Sequence, residues 1–466
     1  MAASSSSITI DRSILAARLA EEIARFEREH PESKRLYARA QQSMFKGVPM
    51  LWMIRSPGTY PVFVREGHGC HFYDVDGHRY LDLCLGDTGA MTGHAPARST
   101  DAICERVRQG ITFMLPSEDA IWVGEELTRR FGMPYWQLTL TATDANRNAI
   151  RLARQITGRS KVLVFNYCYH GTVDETLITL DSDGKGVHRR GNTGAPVHPS
   201  VTTRVVEFND EAALARELAH GDVACVLAEP AMTNIGIVMP KPGFLEAMQR
   251  LTRDAGALLI IDETHTISAG PGGYFRQCGL TPDIFVLGKP IASGVPAAVW
   301  GFSHEVARAF EAHLVQDESD TGGLGGTLAG NALSLAALRS TLEYVLTDAA
   351  YERMIELCTR LRNGVQSVID HYRLPWCITQ LGARAEYWFD HSAPRNGGDA
   401  AATMDHELER YMHLAALNRR VLITPFHNMM LVSPQATAED IDHHTRVFRE
   451  SVEALLVAPT KASSKL

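Results

Sequence analysis

The sequence predicts an α/β fold in which a large domain, built on a mostly parallel, doubly wound sheet, carries a smaller α+β domain. Three observations point there. Short apolar runs closed by turn residues recur at 161–165, 204–207, 223–228, 258–261 and 284–287; each is too brief for a helix and reads as a buried strand. Helical stretches lie between several of these runs, and such alternation builds parallel sheets. The 466 residues exceed one typical domain, and beyond Asn331 the pattern changes to long helices with few short strands.

Taken in order, 10–35 is an amphipathic helical stretch with Leu15, Leu19, Ile23 and Phe26 at helical spacing. Residues 60–85 alternate apolar and polar about a turn at Asp76-Gly77, the pattern of a β-hairpin meander. A helix over 117–130 precedes a strand at 137–140, which runs through Thr141, Ala142, Thr143 and Asp144 into a helix over 145–157. Small hydroxyl residues between a strand and a helix suit a phosphate at the positive helix end. They equally suit an ordinary cap by Thr143 or Asp144. The stretch 182–202, rich in Gly, Arg, His and Pro, reads as a long loop of the lid kind.

The second domain is expected as helices at 332–346, 351–372, 402–417 and 438–455, with strands near 377–379, 385–389 and a pair over 422–432. The division is therefore 1–85, joining the small domain, then 86–330 as the large domain and 331–466 as the rest of the small one.

Composition narrows the class. Hydrophobic residues at 45% and charged ones at 21% are ordinary for a globular protein. A net charge of −8 argues against nucleic acid or an anionic membrane as partner. No apolar run approaches the roughly 20 residues of a membrane span. The opening MAASSSSITI lacks a basic region followed by an apolar core, so it reads as a short disordered tail rather than a secretory signal. The eight cysteines are scattered without a C-x-x-C pair, so neither a disulfide framework nor a metal site is expected, and a reducing cytoplasm fits.

The chemistry concentrates in 258–295. Two buried strands there end on Asp262-Glu263 and on Gly288-Lys289, and a Gly270-Pro271-Gly272-Gly273 loop lies between them. Open α/β sheets bind ligands at these carboxyl ends. An Asp closing a strand also caps turns, and a Lys after Gly is commonly solvated, yet both residue types are rarely buried unless paired. Pyridoxal phosphate chemistry uses this combination: a lysine for the Schiff base and a carboxylate that keeps the pyridine nitrogen protonated. A nicotinamide-binding Rossmann unit is excluded, because no G-x-G-x-x-G follows the first strand.

DETHT, the glycine loop and GKPIASGVP resemble the core of the class III pyridoxal-phosphate-dependent aminotransferases, a branch of fold type I. Within it the chain is most similar to the glutamate-1-semialdehyde aminomutase and β-amino acid aminotransferase subgroup, over about 61–432. The resemblance implies that Lys289 forms the Schiff base and that Asp262 pairs with the ring nitrogen. It places Thr141, Ala142 and Thr143 at the cofactor phosphate, although Ala142 stands where glycine is usual and Asp144 where glutamate is usual. It places Tyr169 and Thr264 on the two ring faces, His265 near the ring hydroxyl, and Thr327 at the phosphate of a neighbouring subunit in a homodimer. His170 is read as a hydrogen-bonded structural histidine.

Substrate contacts are expected from Trp52, Arg55, Glu229 and Arg384. Trp52 falls near the arginine that β-amino acid enzymes use, which argues against a simple β-amino acid. Lys46, Arg55 and Arg384 are each read either as surface or salt-bridge residues or as an anion clamp, and His94 and His427 are placed near the entrance. The implied activity is transfer of an amino group from an amino acid or amine to a keto acid or aldehyde. An aminomutase, or an ammonia-lyase acting on an amino-alcohol phosphate or phosphonate, uses the same machinery. A non-enzymatic regulator would lack Lys289 or Asp262, and both are present.

Overall fold

The computed structural model describes residues 9–313 and 324–457. The expected terminal tail (1–8) and the first glycines of the 322–326 run, Gly322 and Gly323, lie outside the described residues.

The large sheet has seven strands in the order Tyr135–Thr139, Ala298–Phe302, Ile284–Leu287, Leu258–Asp262, Val223–Ala228, Lys161–Phe165, Thr203–Val206. The last five run parallel. Ala298–Phe302 is antiparallel to both its neighbours. The sequence reading lacked that strand. Its residues follow the Ser293-Gly294 turn after only Val295, Pro296 and Ala297, so they look like a continuation of the preceding segment. Alternate side chains feed two cores, as a doubly wound sheet requires. Leu259, Ile261, Phe285 and Leu287 pack on one face with the helices Asp119–Phe131 and Ala332–Tyr344. Ile260, Ile284, Val286 and Trp300 pack on the other with the helix Ala142–Thr157.

The hairpin strands Val64–His68, His71–Asp74 and Arg79–Asp82 form a second sheet, to which Val421–Leu422 adds in parallel. A third, antiparallel sheet joins Cys377–Leu381, Arg384–Trp388 and Met429–Leu431. The pair expected over 422–432 is thus divided between two sheets. A further core of 29 buried residues lies under the helices Asp348–Tyr372, His406–Asn418 and Ala438–Leu456.

Two further differences have local causes. The stretch expected as one helix over 10–35 is two helices, Arg12–Glu29 and Pro31–Ala40. Pro31 opens the second, and the residue before a proline is driven out of helical geometry; His30 sits at φ −124°, ψ 49°. Its buried ring fixes the break, bonding the Phe26 carbonyl at 2.8 Å and the Tyr80 hydroxyl at 2.7 Å. The loop expected over 182–202 contains the strand Gly186–His188, paired with Ile178–Leu180, and a helical turn, Pro199–Thr202. Among the described residues no helix is long and apolar enough to cross a membrane, and the eight cysteines are free.

Candidate active site

Asp262 ends its strand fully inside the protein. Its Oδ2 accepts from Asn146 Nδ2 at 2.8 Å and lies 2.9 Å from His170 Nδ1, and its Oδ1 accepts from the Thr264 amide at 3.0 Å. Burial alone would favour the neutral acid. The hydrogen bond and charge of His170, with the other donors, outweigh it and hold the pKa at about 2. His170 is likewise disfavoured as a cation by burial, yet the Cys168 sulfur and Asp262 raise it to about 10. The structure thus contains a buried, ionised pair, and His170 has the structural role expected of it. Gly171 at φ +84° has a Cβ position 2.1 Å from Thr143 Oγ1, so only glycine allows the His170 turn to lie against the Thr143 turn.

Lys289 follows its strand at φ +55°, a left-handed conformation uncommon outside glycine and one that concentrates at functional sites. Its Nζ is 3.1 Å from Asp87 Oδ2 and hydrogen-bonds His265 Nε2. Burial, then the nearby Lys289 charge, pushes His265 well below its ordinary pKa, so the ring is neutral. Its Nδ1 lies 3.0 Å from the Thr88 hydroxyl and 3.1 Å from Arg384 Nη2. Arg384 Nη2 donates to the same hydroxyl.

Asp87 and Thr88 were not among the sequence candidates. Burial favours a neutral Asp87, but the charges of Lys289, His427 and Arg384 hold it ionised. Asp87 and Thr88 have φ of +50° and +82°. The signal available was an acid and a β-branched residue between Gly86 and Gly89 just after a strand.

The strand Tyr135–Thr139 meets the helix Ala142–Thr157 through Thr141, the N-cap. Its hydroxyl accepts from the Asp144 amide at 3.2 Å and donates to the Asp144 carboxylate at 2.8 Å. The cap is therefore Thr141 rather than Thr143 or Asp144, and the helix begins three residues earlier than expected. Ala142 is helical, and its Cβ lies 3.0 Å from where a Cβ on Gly288 would stand. The side chain that departs from the family pattern therefore lies against the Lys289 turn, in space that Gly288 leaves open.

The glycine loop after Asp262 serves the protein itself. The Tyr274 and Phe275 amides donate to Glu263 at 3.0 and 2.5 Å. A Cβ on Gly273 would meet that carboxyl carbon at 2.9 Å. Thr264 lies beside Asp262, its buried hydroxyl without a partner among the described residues.

The remaining sequence candidates separate into inner and outer positions. Arg384 is neither a surface nor a salt-bridge residue: it is fully buried, and its Nε and Nη1 have no hydrogen-bond partner among the described residues. Glu229 is buried and accepts from the Thr233 hydroxyl and from Asn234 Nδ2, the latter at 3.2 Å; burial raises its pKa. Tyr169 sits 5.4 Å, ring to ring, from Trp52, which is 5.5 Å from Phe426. Arg55 lines a cavity beyond Phe426.

Thr327 is exposed, on a groove with Met114, Ile121 and Tyr135 rather than beside Lys289 of its own chain. Lys46 is exposed. His94 bonds Asp82 at 2.8 Å, as part of the hairpin rather than of an entrance. His427 bonds Glu386 at 2.8 Å behind Phe426.

A doubly wound sheet with a buried acid and a lysine at adjacent strand ends, a helix N-terminus at a third, and a second α+β layer defines a fold type I pyridoxal-phosphate enzyme. The chain belongs to the class III aminotransferases, whose family model matches residues 53–452. It is 31% identical over 417 residues to a glutamate-1-semialdehyde 2,1-aminomutase of Chloroflexus aggregans, covering 86% of this chain and 92% of the relative. A Neisseria meningitidis enzyme of the same name is 32% identical over 411 residues, covering 86% and 93%. Among solved structures, a glutamate-1-semialdehyde-aminomutase from Pseudomonas aeruginosa superposes with a TM-score of 0.94 at 48% identity, covering 96% of this chain and all of the other. An omega-transaminase from Sphaerobacter thermophilus reaches 0.82 at 25% identity, covering 91% and 98%.

Proposed function

We propose that this protein transfers an amino group between an amine or amino acid and a keto acid or aldehyde, with residues 86–330 holding the cofactor and Lys289 reacting. The observation that carries this reading is the pairing of a buried, ionised Asp262 with Lys289 across adjacent strand ends. The residues fit pyridoxal phosphate. Asp262 remains a carboxylate able to accept a ring N–H, the unpartnered Thr264 hydroxyl lies beside it, and the Thr141 turn offers unpaired helix amides for a phosphate. When bound, the cofactor supplies an electron sink that lets the C–H bond beside the amine nitrogen break.

The chain's own residues then have distinct tasks. Asp262 keeps the ring nitrogen protonated, because His170, Asn146 and the Thr264 amide hold the acid ionised where burial would neutralise it. Thr141, Ala142 and Thr143 seat the phosphate, Tyr169 and Thr264 flank the ring, and Glu229 lines its edge. The Lys289 amine moves the proton as general base. His265, held neutral, hydrogen-bonds Lys289 through Nε2 and so fixes where the amine lies. Arg384 holds the Thr88 hydroxyl against His265 Nδ1, so we assign it to positioning His265. Trp52 covers Tyr169 from outside.

The groove of about 1270 Å³ carrying Thr327 and exposed apolar side chains supports a homodimer in which Thr327 completes the neighbour's phosphate site. Light scattering should give twice the chain mass. A second reading, an aminomutase that returns the amino group to a neighbouring carbon, is favoured by the names of the relatives at 31% and 32% identity.

A single half-reaction separates the possibilities. Holo-protein is mixed with a panel of amines and no keto acid, and the cofactor spectrum and free ammonia are followed. Conversion to the pyridoxamine form without ammonia is the expected result. Ammonia release with the starting spectrum restored would overturn it in favour of elimination. An isomerised product without net conversion would establish the mutase.

A further inference from the structure

Behind the aromatic layer of Trp52, Tyr169 and Phe426 lies a cavity of about 630 Å³. It shares its walls with the candidate active site. Tyr167 lines it two residues before Tyr169, and Ile235 lines it next to Asn234, whose side chain reaches the Tyr169 carbonyl at 3.4 Å. Phe426 stands between the cavity and Trp52. Three separate segments, 55–57, 189–190 and 406–413, deliver charge to it, and that charge is predominantly positive.

Four arginines line the cavity: Arg55, Arg189, Arg190 and Arg410. Arg189 donates to the Cys168 carbonyl at 2.8 Å and lies over the Tyr167 ring, and Arg410 donates to the Pro57 carbonyl at 3.3 Å. Neither these two nor Arg55 and Arg190 pairs with a carboxylate among the described residues. The single acid, Glu409, is turned to His406, and burial raises its pKa. Four guanidinium groups without a carboxylate partner among the described residues line one chamber, three of them exposed, and planar guanidinium forks match phosphate oxygens well.

We propose that this chamber binds the distal phosphate or phosphonate of an amine substrate whose amino end reacts at Lys289. The inference rests on the amino-transfer reading above and names its substrate class. The chain of the substrate passes the aromatic layer, whose faces tolerate a methylene chain, and its anionic end replaces water around Arg55 and Arg190. The inner site agrees with this division. The carboxylate of Asp87 lies against Lys289, so the reacting amine already has its anion, while the chamber's arginines have none among the described residues.

The test uses holo-protein and three amines of similar length: 3-aminopropylphosphonate, γ-aminobutyrate and n-butylamine. The rate of cofactor spectral change per unit concentration is measured for each. The expected order places the phosphonate about tenfold or more above butylamine, the advantage that one charge-assisted hydrogen bond confers. In the double variant R55Q/R190Q, where both side chains are exposed and the fold is not at stake, the phosphonate-to-butylamine ratio falls towards one. Inorganic phosphate competes with the phosphonate and not with butylamine. Equal rates for phosphonate and butylamine, or a ratio that survives the double substitution, would overturn the proposal. A preference for γ-aminobutyrate would likewise overturn the phosphate assignment.

If no amine changes the spectrum, the amino-transfer reading fails, and the chamber is judged by calorimetric titration with 3-aminopropylphosphonate. Heat in the wild type that is lost in R55Q/R190Q supports the site. No heat in the wild type contradicts it.

Discussion

The strand-end cluster around Asp262 and Lys289 and the arginine chamber beyond Phe426 lie on opposite sides of one aromatic layer, and they are built in opposite ways. The inner cluster is largely buried, and its carboxylates are each paired. Asp262 is matched by His170, Asp87 by Lys289, and Glu386 by His427. Its charges are fixed by hydrogen bonds within the sheet, so the chemistry there is set before any substrate arrives. The chamber is open and its charge is unmatched. It is completed by what enters. Cofactor chemistry is thus specified by buried pairs, and selectivity by exposed groups without counter-ions, so the two should respond differently to substitution.

Lys289→Ala should have the largest effect, lowering kcat about a thousandfold or more through loss of the reacting amine and base. It should also lower the thermal midpoint, because it removes the charge partner of the buried Asp87. Asp262→Asn comes next. It should lower kcat about a hundredfold and should cost about 2 kcal/mol of stability by removing the charged partner of the His170 hydrogen bond; denaturant titration reads this directly.

The same pair gives a pH signature. His170 is raised from 6.5 to about 10, so its contribution to stability is complete below pH 6.5 and is lost as pH rises through 10. Asp262 is lowered from 3.8 to about 2, so its contribution is complete above pH 3.8 and is lost as pH falls through 2. Unfolding curves at pH 6 and pH 9.5 should therefore differ in the wild type and lose most of that difference in Asp262→Asn. Arg384→Met should lower kcat about tenfold with little change in the donor KM if it positions His265. A large rise in KM at constant kcat would make it the anion clamp instead. Thr141→Ala should be mildest, removing a cap worth about 1 kcal/mol and weakening cofactor retention roughly fivefold.

The part of the site that was legible in the sequence is the part made from contiguous motifs. Asp262 and Lys289 each close a short apolar run, so run length and turn residues pointed to them, whereas Thr264 and His265 came from the family resemblance of DETHT. The Thr141 turn was legible as a turn, but its cap was assigned two residues late, because three hydroxyl or acidic residues close together satisfy the capping pattern equally well. Asp87 and Thr88 escaped because their role depends on meeting Arg384, which for Thr88 is 296 positions away, and no local pattern records such a meeting. For Arg384 the sequence left a surface or paired residue and an anion clamp both open, because burial of an uncompensated arginine is rare. Here a strand with all five residues buried carries it inside. In the fold, strand edges were legible where both faces are buried. The partners of Val421–Leu422 and Met429–Leu431 were not, because sheet membership of two- and three-residue strands is decided by tertiary packing.

The measurement that tests the central claim most directly is borohydride reduction of the holo-protein followed by peptide mass mapping. The account predicts a single reduced pyridoxyl adduct on Lys289, with the absorbance of the bound cofactor lost in parallel. An adduct on another lysine, or unlabelled Lys289 in a protein that still binds the cofactor, would contradict it.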